Sequence, residues 1–331
     1  MVFAVDMSYS TETDQEKHRE YLFALASVEG IGAVRLKRLL TRFGSADRIF
    51  DAELVEIAQL PHFNPILASR ILTVRNRFAE LRRKLEALNN QGIEVIFPKD
   101  AEYPALLRSV PDAPTVLCRI GELSEMNEQC VAIVGSNRPT VDSINVTLGL
   151  SICLVEAGFT IVSGLASGID TNAHYGALGV NGTTIGVVST DLSSIYPSEN
   201  HELAIKICET GYVFSEHPFP ASPTPANLVL RNRIISGLSK ATVVVETSKE
   251  GGAMHTARYA QLQDRPVLAC QWNSYNQHNE GTRQLIRNGA LPFLPDQLDT
   301  VVDILTHPDH LQNHIIGNSI EQMTLFEHQE S

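Results

Sequence analysis

The segment CVAIVGS, residues 130–136, is a run of five apolar residues that ends in a glycine–serine turn. Six further short runs rich in β-branched residues follow the same pattern: IEVIFP (93–98), FTIVSG (159–164), TTIGVVST (183–190), GYVFSE (211–216), ATVVVET (241–247) and RPVLACQ (265–271). Helix-length stretches separate most of these runs. The alternation therefore predicts a parallel sheet with helices on both faces and a ligand site at the carboxyl ends of its strands.

The chain on either side of these strands has a different pattern. Residues 16–92 carry apolar side chains at three- and four-residue spacing, which predicts a small all-helical domain. We expect residues 1–15 to be a flexible N-terminus and residues 93–296 to form the sheet domain. A short helix and a polar, acidic tail should complete the chain over 297–331.

Composition excludes several classes of protein. The chain has 331 residues, 43% of them hydrophobic, and a formal net charge of -12, which argues against a surface that binds polyanions through bulk charge. No apolar run reaches the roughly 20 residues that a membrane span needs, and we expect no membrane association. The five cysteines never form a C-x-x-C pair, so we expect a reduced, cytoplasmic protein without a metal site or cofactor.

Three predicted strands end in a small-residue turn that opens a helix. The turns contain Gly135 and Ser136, Ser163 and Gly164, and Gly251 and Gly252. Unpaired N–H groups and the helix dipole favour an anion at such positions, and glycine lets a phosphate approach the backbone. The sequence therefore predicts an anion site built from these turns. It contains neither the dinucleotide-binding nor the phosphate-loop fingerprint.

The segment LVLRNRIISGLS, residues 228–239, is predicted to begin a helix after a proline-rich loop. It holds Arg231, Asn232 and Arg233, and the planar guanidinium group suits phosphate because it can donate two hydrogen bonds at once. An ion pair to Glu216 or Glu246 is the structural alternative. We expect one arginine of each kind. Asp170, on the helix after the second turn, is expected to brace the neighbouring turns rather than take a proton.

A second glycine turn lies in the helical domain. Gly30-Ile31-Gly32 precedes a helix with basic residues Arg35, Lys37, Arg38 and Arg42, a pattern similar to a helix-hairpin-helix module whose N–H groups meet phosphate. A plain turn beside a solvated basic face explains the same residues.

From about Tyr103 to Ala290 the chain resembles the DNA-processing protein A family, also called DprA or Smf. The segments that carry the resemblance occur in the family's order and include VAIVGSNRPT (131–140), IVSGLASGIDTNAHYGAL (161–178), RNRIISGLSKATVVVET (231–247) and GGAMHTARYAQLQDRPVLA (251–269). The resemblance implies an extended Rossmann-like α/β domain behind a small helical domain of the SAM or helix-hairpin-helix kind. It also implies single-stranded-DNA binding and the loading of a RecA-type recombinase during DNA uptake, without chemical catalysis.

The chain departs from the family pattern at several positions. Asn137 stands where an arginine is usual and Arg138 follows it, and Leu228–Leu230 lack the usual aromatic residue. Gly251 and Ala253 stand where the family usually has serines, so two hydroxyl groups are lost. We expect Trp272 or Tyr275 to stack on a base instead. The polar tail leaves no room for the winged helix of many members, so a divergent member without one is expected.

The resemblance leaves other functions open. A nucleotide-hydrolysing enzyme of the related phosphoribohydrolase-like fold group is the main alternative, because EGGAMHTA (250–257) faintly resembles its glycine turn. A small-nucleotide sensor is a third alternative. The resemblance also implies a homodimer.

The tail contains one apolar motif, Gln322-Met323-Thr324-Leu325-Phe326, in a polar stretch. Gln322, Met323, Leu325 and Phe326 resemble the pentapeptide by which bacterial proteins bind the replication sliding clamp. A segment that packs back on the parent domain is the alternative.

Overall fold

The computed structural model describes residues 12–122, 126 and 128–307. Six helices form the N-terminal part: α1 (Glu12–Ala26), α2 (Ala33–Phe43), α3 (Ala46–Asp51), α4 (Leu54–Ala58), α5 (Pro65–Thr73) and α6 (Phe78–Asn90). Amphipathic spacing explains these helices: in α2, Leu36 and Leu39 are buried while the basic residues lie toward solvent. The all-helical prediction for this part is confirmed.

The second part is a nine-stranded sheet. Its strands are β1 (Glu94–Ile96), β2 (Leu117–Ile120), β3 (Cys130–Val134), β4 (Thr160–Ser163), β5 (Thr184–Val187), β6 (Tyr212–Ser215), β7 (Ala241–Val244), β8 (Val267–Cys270) and β9 (Leu291–Phe293). All seven predicted strands are present, whereas β2 and β9 were not predicted. Strands β3 to β9 pair in parallel, and β1 and β2 are antiparallel additions. The mostly parallel α/β prediction is therefore confirmed.

Among the described residues, eight α-helices accompany the sheet: α7 (Ala105–Arg108), α8 (Val141–Glu156), α9 (Ile169–Gly179), α10 (His201–Thr210), α11 (Pro225–Gly237), α12 (Gly252–Leu262), α13 (Glu280–Arg287) and α14 (Asp299–Thr306). Apolar residues of α8, α9 and α14 share one hydrophobic cluster with the sheet, and those of α7, α11, α12 and α13 share another. Both faces are thus covered, as in other parallel sheets.

Strand order reverses beside β3, which places a crevice there. The order is β1-β2-β6-β5-β4-β3-β7-β8-β9, so the chain builds β4, β5 and β6 on one side of β3 and then crosses to add β7 on the other. The connections after β3 and β7 leave in different directions and open a crevice at their carboxyl ends.

The helical part and the sheet share one core. A single hydrophobic cluster joins residues of α1 to α6 with Leu165, Val188 and Val213 of the sheet part. The rings of Phe23 and Phe219 lie 5.1 Å apart between centroids. Helix α6 ends at Asn90, just before β1, and the shared cluster continues across that point.

Both edge strands of the sheet carry a feature that hinders pairing with a further strand. Arg19 Nη2 donates to the carbonyl of Val95 in edge strand β1 at 2.7 Å, and the same guanidinium pairs with Asp100 and lies over the Phe97 ring. Strand β9, at the other edge, contains Pro292. The Phe293 carbonyl accepts a hydrogen bond from Gln271 next to β8, so the preceding residue, Pro292, points outward and offers no N–H.

Candidate nucleic-acid interface

A cavity of about 390 Å³ lies at the carboxyl ends of β3, β4 and β7, where the strand order reverses. We call it the strand-end cavity. Eight of the eleven residues predicted for DNA binding line it: Gly135, Ser136, Asn137, Arg138, Arg231, Asn232, Gly251 and Gly252. Topology brings them together, because they come from separate segments of the chain.

The turn after β3 is held close to its neighbours. A Cβ atom at Gly135 would lie 2.5 Å from Ile169 and 2.9 Å from the carbonyl oxygen of Glu246, so only glycine fits. Ser136 Oγ accepts a hydrogen bond from the Arg138 N–H at 3.1 Å. Asn137 and Arg138 are exposed. The described residues give the Arg138 side chain no ion pair, so its charge is available at the cavity.

The turn after β4 supports the cavity from beneath. Ser163 and Gly164 are buried and do not line it; Ser163 Oγ donates to the Ile133 carbonyl at 2.6 Å. The Gly164 N–H donates to the Asp170 carboxylate at 3.1 Å, so Asp170 braces this turn as expected. The Ile169 N–H, at the start of α9, donates to the Ser136 carbonyl at 3.0 Å. These N–H groups already have acceptors, which explains why this turn presents no anion site at the surface.

Helix α11 carries Arg231 into the floor of the cavity. Its side chain is buried, and Nη1 donates to the carbonyl oxygens of Gly164 and Val187. Burial raises the pKa of the nearby Asp170 carboxyl above its ordinary value, and the positive charge of Arg231 opposes this rise. Arg231 therefore ties together the ends of β4 and β5 beneath the surface that a ligand would meet.

Arg233 lies on the opposite face of α11 and outside the strand-end cavity. It is 3% exposed, pairs with Glu216 through Nη2, and has its Nε 3.7 Å from Asp112. The Glu216 pair is one of the two structural partners expected from the sequence. Both arginines are thus held by protein groups, and only Arg231 contributes to the wall of the strand-end cavity.

The turn after β7 opens toward the cavity at the start of α12. No described side chain caps this helix at Gly251, so its first N–H groups border the cavity without a side-chain acceptor from the described residues. Thr247 and Ser248 precede the turn and also line the cavity. Asn232 Nδ2 reaches the Gly252 carbonyl at 3.4 Å and connects α11 to this turn.

The loop after β8 supplies two cavity residues that sequence reasoning missed, Gln277 and His278. Both are exposed, and no motif marks them. The two predicted stacking residues do not line the cavity. Trp272 donates its indole N–H to the Val245 carbonyl at 3.0 Å. The Arg283 guanidinium lies over the Tyr275 ring, with its Cζ 5.0 Å from the ring centroid. Trp272 and Tyr275 are therefore engaged in contacts within the protein, and Gln277 and His278 are the residues of this loop that line the cavity.

The buried histidine of α9, His174, has a structural role near the site. His174 is fully buried, its Nδ1 lies 2.7 Å from Thr184 Oγ1, and burial together with the charge of Arg231 lowers its pKa to about 3.

In the part of the chain that the structure describes, no cluster of His, Cys, Asp or Glu is arranged to hold a metal ion. No described helix is long and apolar enough to cross a membrane. Gln322, Met323, Leu325 and Phe326 lie outside the described residues.

Comparison with known proteins agrees with this architecture. The family model of DNA recombination-mediator protein A matches residues 94–305. Protein Smf of Synechocystis is 37% identical over 280 residues, covering 83% of this chain and 70% of that protein.

Two solved structures are similar as well. DNA processing protein A from Streptococcus pneumoniae superposes with a TM-score of 0.70 at 27% identity, over 83% of this chain and 94% of that one. The Helicobacter pylori protein, whose structure was described for its single-stranded DNA binding mode, gives a TM-score of 0.57 at 27% identity, over 65% and 95%. With the family model spanning more than half of its length, the chain belongs to the DNA recombination-mediator protein A family.

Proposed function

We propose that this protein binds single-stranded DNA without sequence preference and acts as a recombination mediator that performs no chemical step itself. The observation that carries the proposal is the strand-end cavity, whose lining includes both the exposed Arg138 and the start of α12, where no described side chain caps the helix. A backbone phosphate would accept hydrogen bonds from both, since helix N-termini and guanidinium groups favour phosphate.

The character of the cavity favours a strand over a duplex. Leu228 and Val229 add apolar side chains to the cavity lining, a surface on which an unstacked base can lie. Gln277 and His278 add hydrogen-bonding groups at the rim of the cavity. Both side chains can donate as well as accept hydrogen bonds, so they do not select one base. Contacts to phosphate carry no sequence information, so binding should be general.

Other roles belong to the same proposal. A bound strand would be handed to a RecA-type recombinase in the cytoplasm, by a homodimer, during DNA uptake or another DNA-linked process. The description of the family as a DNA recombination mediator supports the recombination role, and the Helicobacter pylori structure supports the binding of single strands.

The tail motif Gln322–Phe326 would bind the sliding clamp. A peptide of residues 318–331 should bind purified clamp, and replacing Leu325 and Phe326 with alanine should abolish that binding.

The proposed activity is tested by salt titration of binding to single-stranded and double-stranded oligonucleotides of the same sequence. Single strands should bind more tightly, and log affinity should fall with log salt at a slope of about -0.7 per phosphate neutralised. Arg138→Ala should weaken binding by roughly 1.5–3 kcal/mol, and Arg258→Ala, an exposed arginine of α12 outside the cavity, should not. Equal affinity for duplex, or release of free base from nucleoside monophosphates, would contradict the proposal.

A further inference from the structure

A second cavity of about 390 Å³ lies between the start of α2 and the outer face of α11, and we call it the α2–α11 cavity. Its wall includes Gly32, Val34, Arg35, Arg38, Leu230 and Arg233. This volume is within the range of small-ligand sites. The strand-end cavity and the α2–α11 cavity have α11 as a common wall.

The division of α11 between the two cavities follows from helix geometry. Leu228, Arg231, Asn232 and Ile235 are spaced as i, i+3, i+4 and i+7 and line the strand-end cavity. Leu230 and Arg233, three residues apart, are on the opposite side and line the α2–α11 cavity. One helix therefore offers an arginine and an apolar residue to each cavity.

Two independent features of the α2–α11 cavity fit an anion. Helix α2 has 11 residues and begins after Gly32, where no side chain of the described residues caps its first N–H groups. Arg35 and Arg38, about one turn apart on the same helix, add two cationic side chains to the cavity wall. Guanidinium groups favour phosphate because each can donate two hydrogen bonds at once.

The α2–α11 cavity has more positively than negatively charged side chains in its wall. Arg35 donates to the carbonyl oxygens of His62 and Gly30, at 3.0 and 2.6 Å, and Arg38 donates to that of Pro61 at 2.7 Å. Neither has an ion pair within the described part of the chain. The two carboxylates of the cavity, Asp112 and Glu216, both pair with Arg233. The backbone carbonyls therefore orient Arg35 and Arg38 without neutralising them.

We propose that the α2–α11 cavity holds backbone phosphate of the same single strand whose neighbouring nucleotides occupy the strand-end cavity, an inference that rests on the proposed function. The strand crosses the start of α11, where residues 224–226 are exposed. Val34 and Leu230, 55% and 41% exposed, provide apolar surface for a base on the far side. The glycine turn at Gly30–Gly32, which has a positive φ at Gly30, thereby becomes part of the DNA interface.

The test compares full-length protein binding to oligothymidylates of about 4 and about 16 nucleotides, the range of single-strand site sizes. The double variant Arg35→Ala/Arg38→Ala should bind the long strand about tenfold more weakly and the short one almost as before. Its salt slope on the long strand should decrease in size by about 0.7 for each phosphate that is no longer neutralised. The matched control Lys37→Ala/Arg42→Ala changes two cations of the same helix that do not line the cavity, and it should retain the affinity of the unchanged protein for both lengths.

A second variant guards against loss of folding in the first. Leu230→Glu places a negative charge in the cavity without removing any hydrogen bond described above, and Leu230→Gln is its neutral counterpart. Only the glutamate should weaken binding of the long strand. Equal losses of affinity for both strand lengths, or full affinity for the long strand, would overturn the proposal.

The same titrations separate this inference from the proposed function. If neither oligonucleotide binds the unchanged protein, the proposed function fails. If the short strand binds but the long strand gains nothing from Arg35 and Arg38, only the second site fails. Thymidine monophosphate is the remaining probe. If thymidine monophosphate binds and this binding depends on Arg35 and Arg38, the ligand of the α2–α11 cavity is a free nucleotide. That result would overturn the proposal that one continuous strand occupies both cavities.

Discussion

Arg231 and Arg233 show what a sequence can and cannot say about a side chain. Their residue type predicted either phosphate contacts or structural ion pairs. Glu216 was one of the two carboxylates expected for such an ion pair, and it pairs with Arg233. Spacing on a helix places them about 200° apart, so they had to face different surroundings. Which surroundings those are depends on strand order and on the position of α2, neither of which local sequence specifies.

Arg233→Ala should reduce stability sharply. The change leaves the Glu216 carboxylate half-buried without its partner, and breaking a buried pair costs about 3–5 kcal/mol. Thermal or urea unfolding measures the loss. Arg258→Ala, at an exposed position, should unfold like the unchanged protein. An Arg233→Ala variant with an unchanged midpoint would show that the pair contributes nothing.

His174 should make the protein sensitive to acid. Its pKa is about 3 in the folded protein and about 6.5 when unfolded, so below pH 6.5 the unfolded chain binds the extra proton and stability falls. Between pH 7 and pH 5 the loss from this group is about 2 kcal/mol.

The measurement is urea unfolding at both pH values. His174→Gln lacks the titrating group, so its stability should change less over this interval than that of the unchanged protein. Equal changes in the two proteins would show that His174 is protonated in the fold.

At the scale of elements, the seven predicted strands were recognisable because each is a short, mostly apolar run bounded by turn residues. Strands β2 and β9 escaped prediction because each contains a residue that is atypical of a buried strand, Arg119 in β2 and Pro292 in β9. The anion turns were predictable in kind but not in exposure. The turn after β4 looks like the others in sequence, yet its N–H groups bind Asp170 and Ser136.

Gly168→Ala should disturb this arrangement of turns. Gly168 has φ of 81° and ψ of -124°, and a Cβ atom would lie 2.3 Å from the Ser136 carbonyl oxygen. The strained backbone alone costs about 1–3 kcal/mol, and the close approach would displace Ser136 and Arg138. We expect both a lower unfolding midpoint and weaker binding of single strands.

Gly179→Ala is the control on the same helix. A Cβ atom there meets nothing within 4 Å, and its φ is not positive, so stability should be unchanged or slightly higher. Normal DNA binding by Gly168→Ala would show that the turns after β3 and β4 are not coupled.

For the whole molecule, the sequence indicated both the helical part and the sheet part, but not how they pack. The predicted boundary near residue 92 falls between α6 and β1, where the chain changes period. The hydrophobic cluster that crosses this boundary depends on contacts between residues far apart in sequence, such as Phe23 and Phe219. The division of the chain into separate domains stays a prediction.

Phe23→Ala should destabilise the helical part and the sheet part together. Phe23 is 1% exposed, and truncating a buried phenylalanine costs about 3–5 kcal/mol. Because the cluster is shared, calorimetry should show one transition that moves to lower temperature as a unit. Two separate transitions, with only the first displaced, would show that the parts unfold independently.

The guarded sheet edges limit how copies of this protein can join. A strand from a partner needs a row of open N–H and C=O groups to extend a sheet, and an unprotected edge also seeds aggregation. Arg19 occupies the Val95 carbonyl at one edge, and Pro292 lacks a donor at the other. Association by strand addition is therefore disfavoured at both ends, and a partner must meet helices or loops. Two side chains outside both cavities thus decide which surfaces of the molecule are open to assembly.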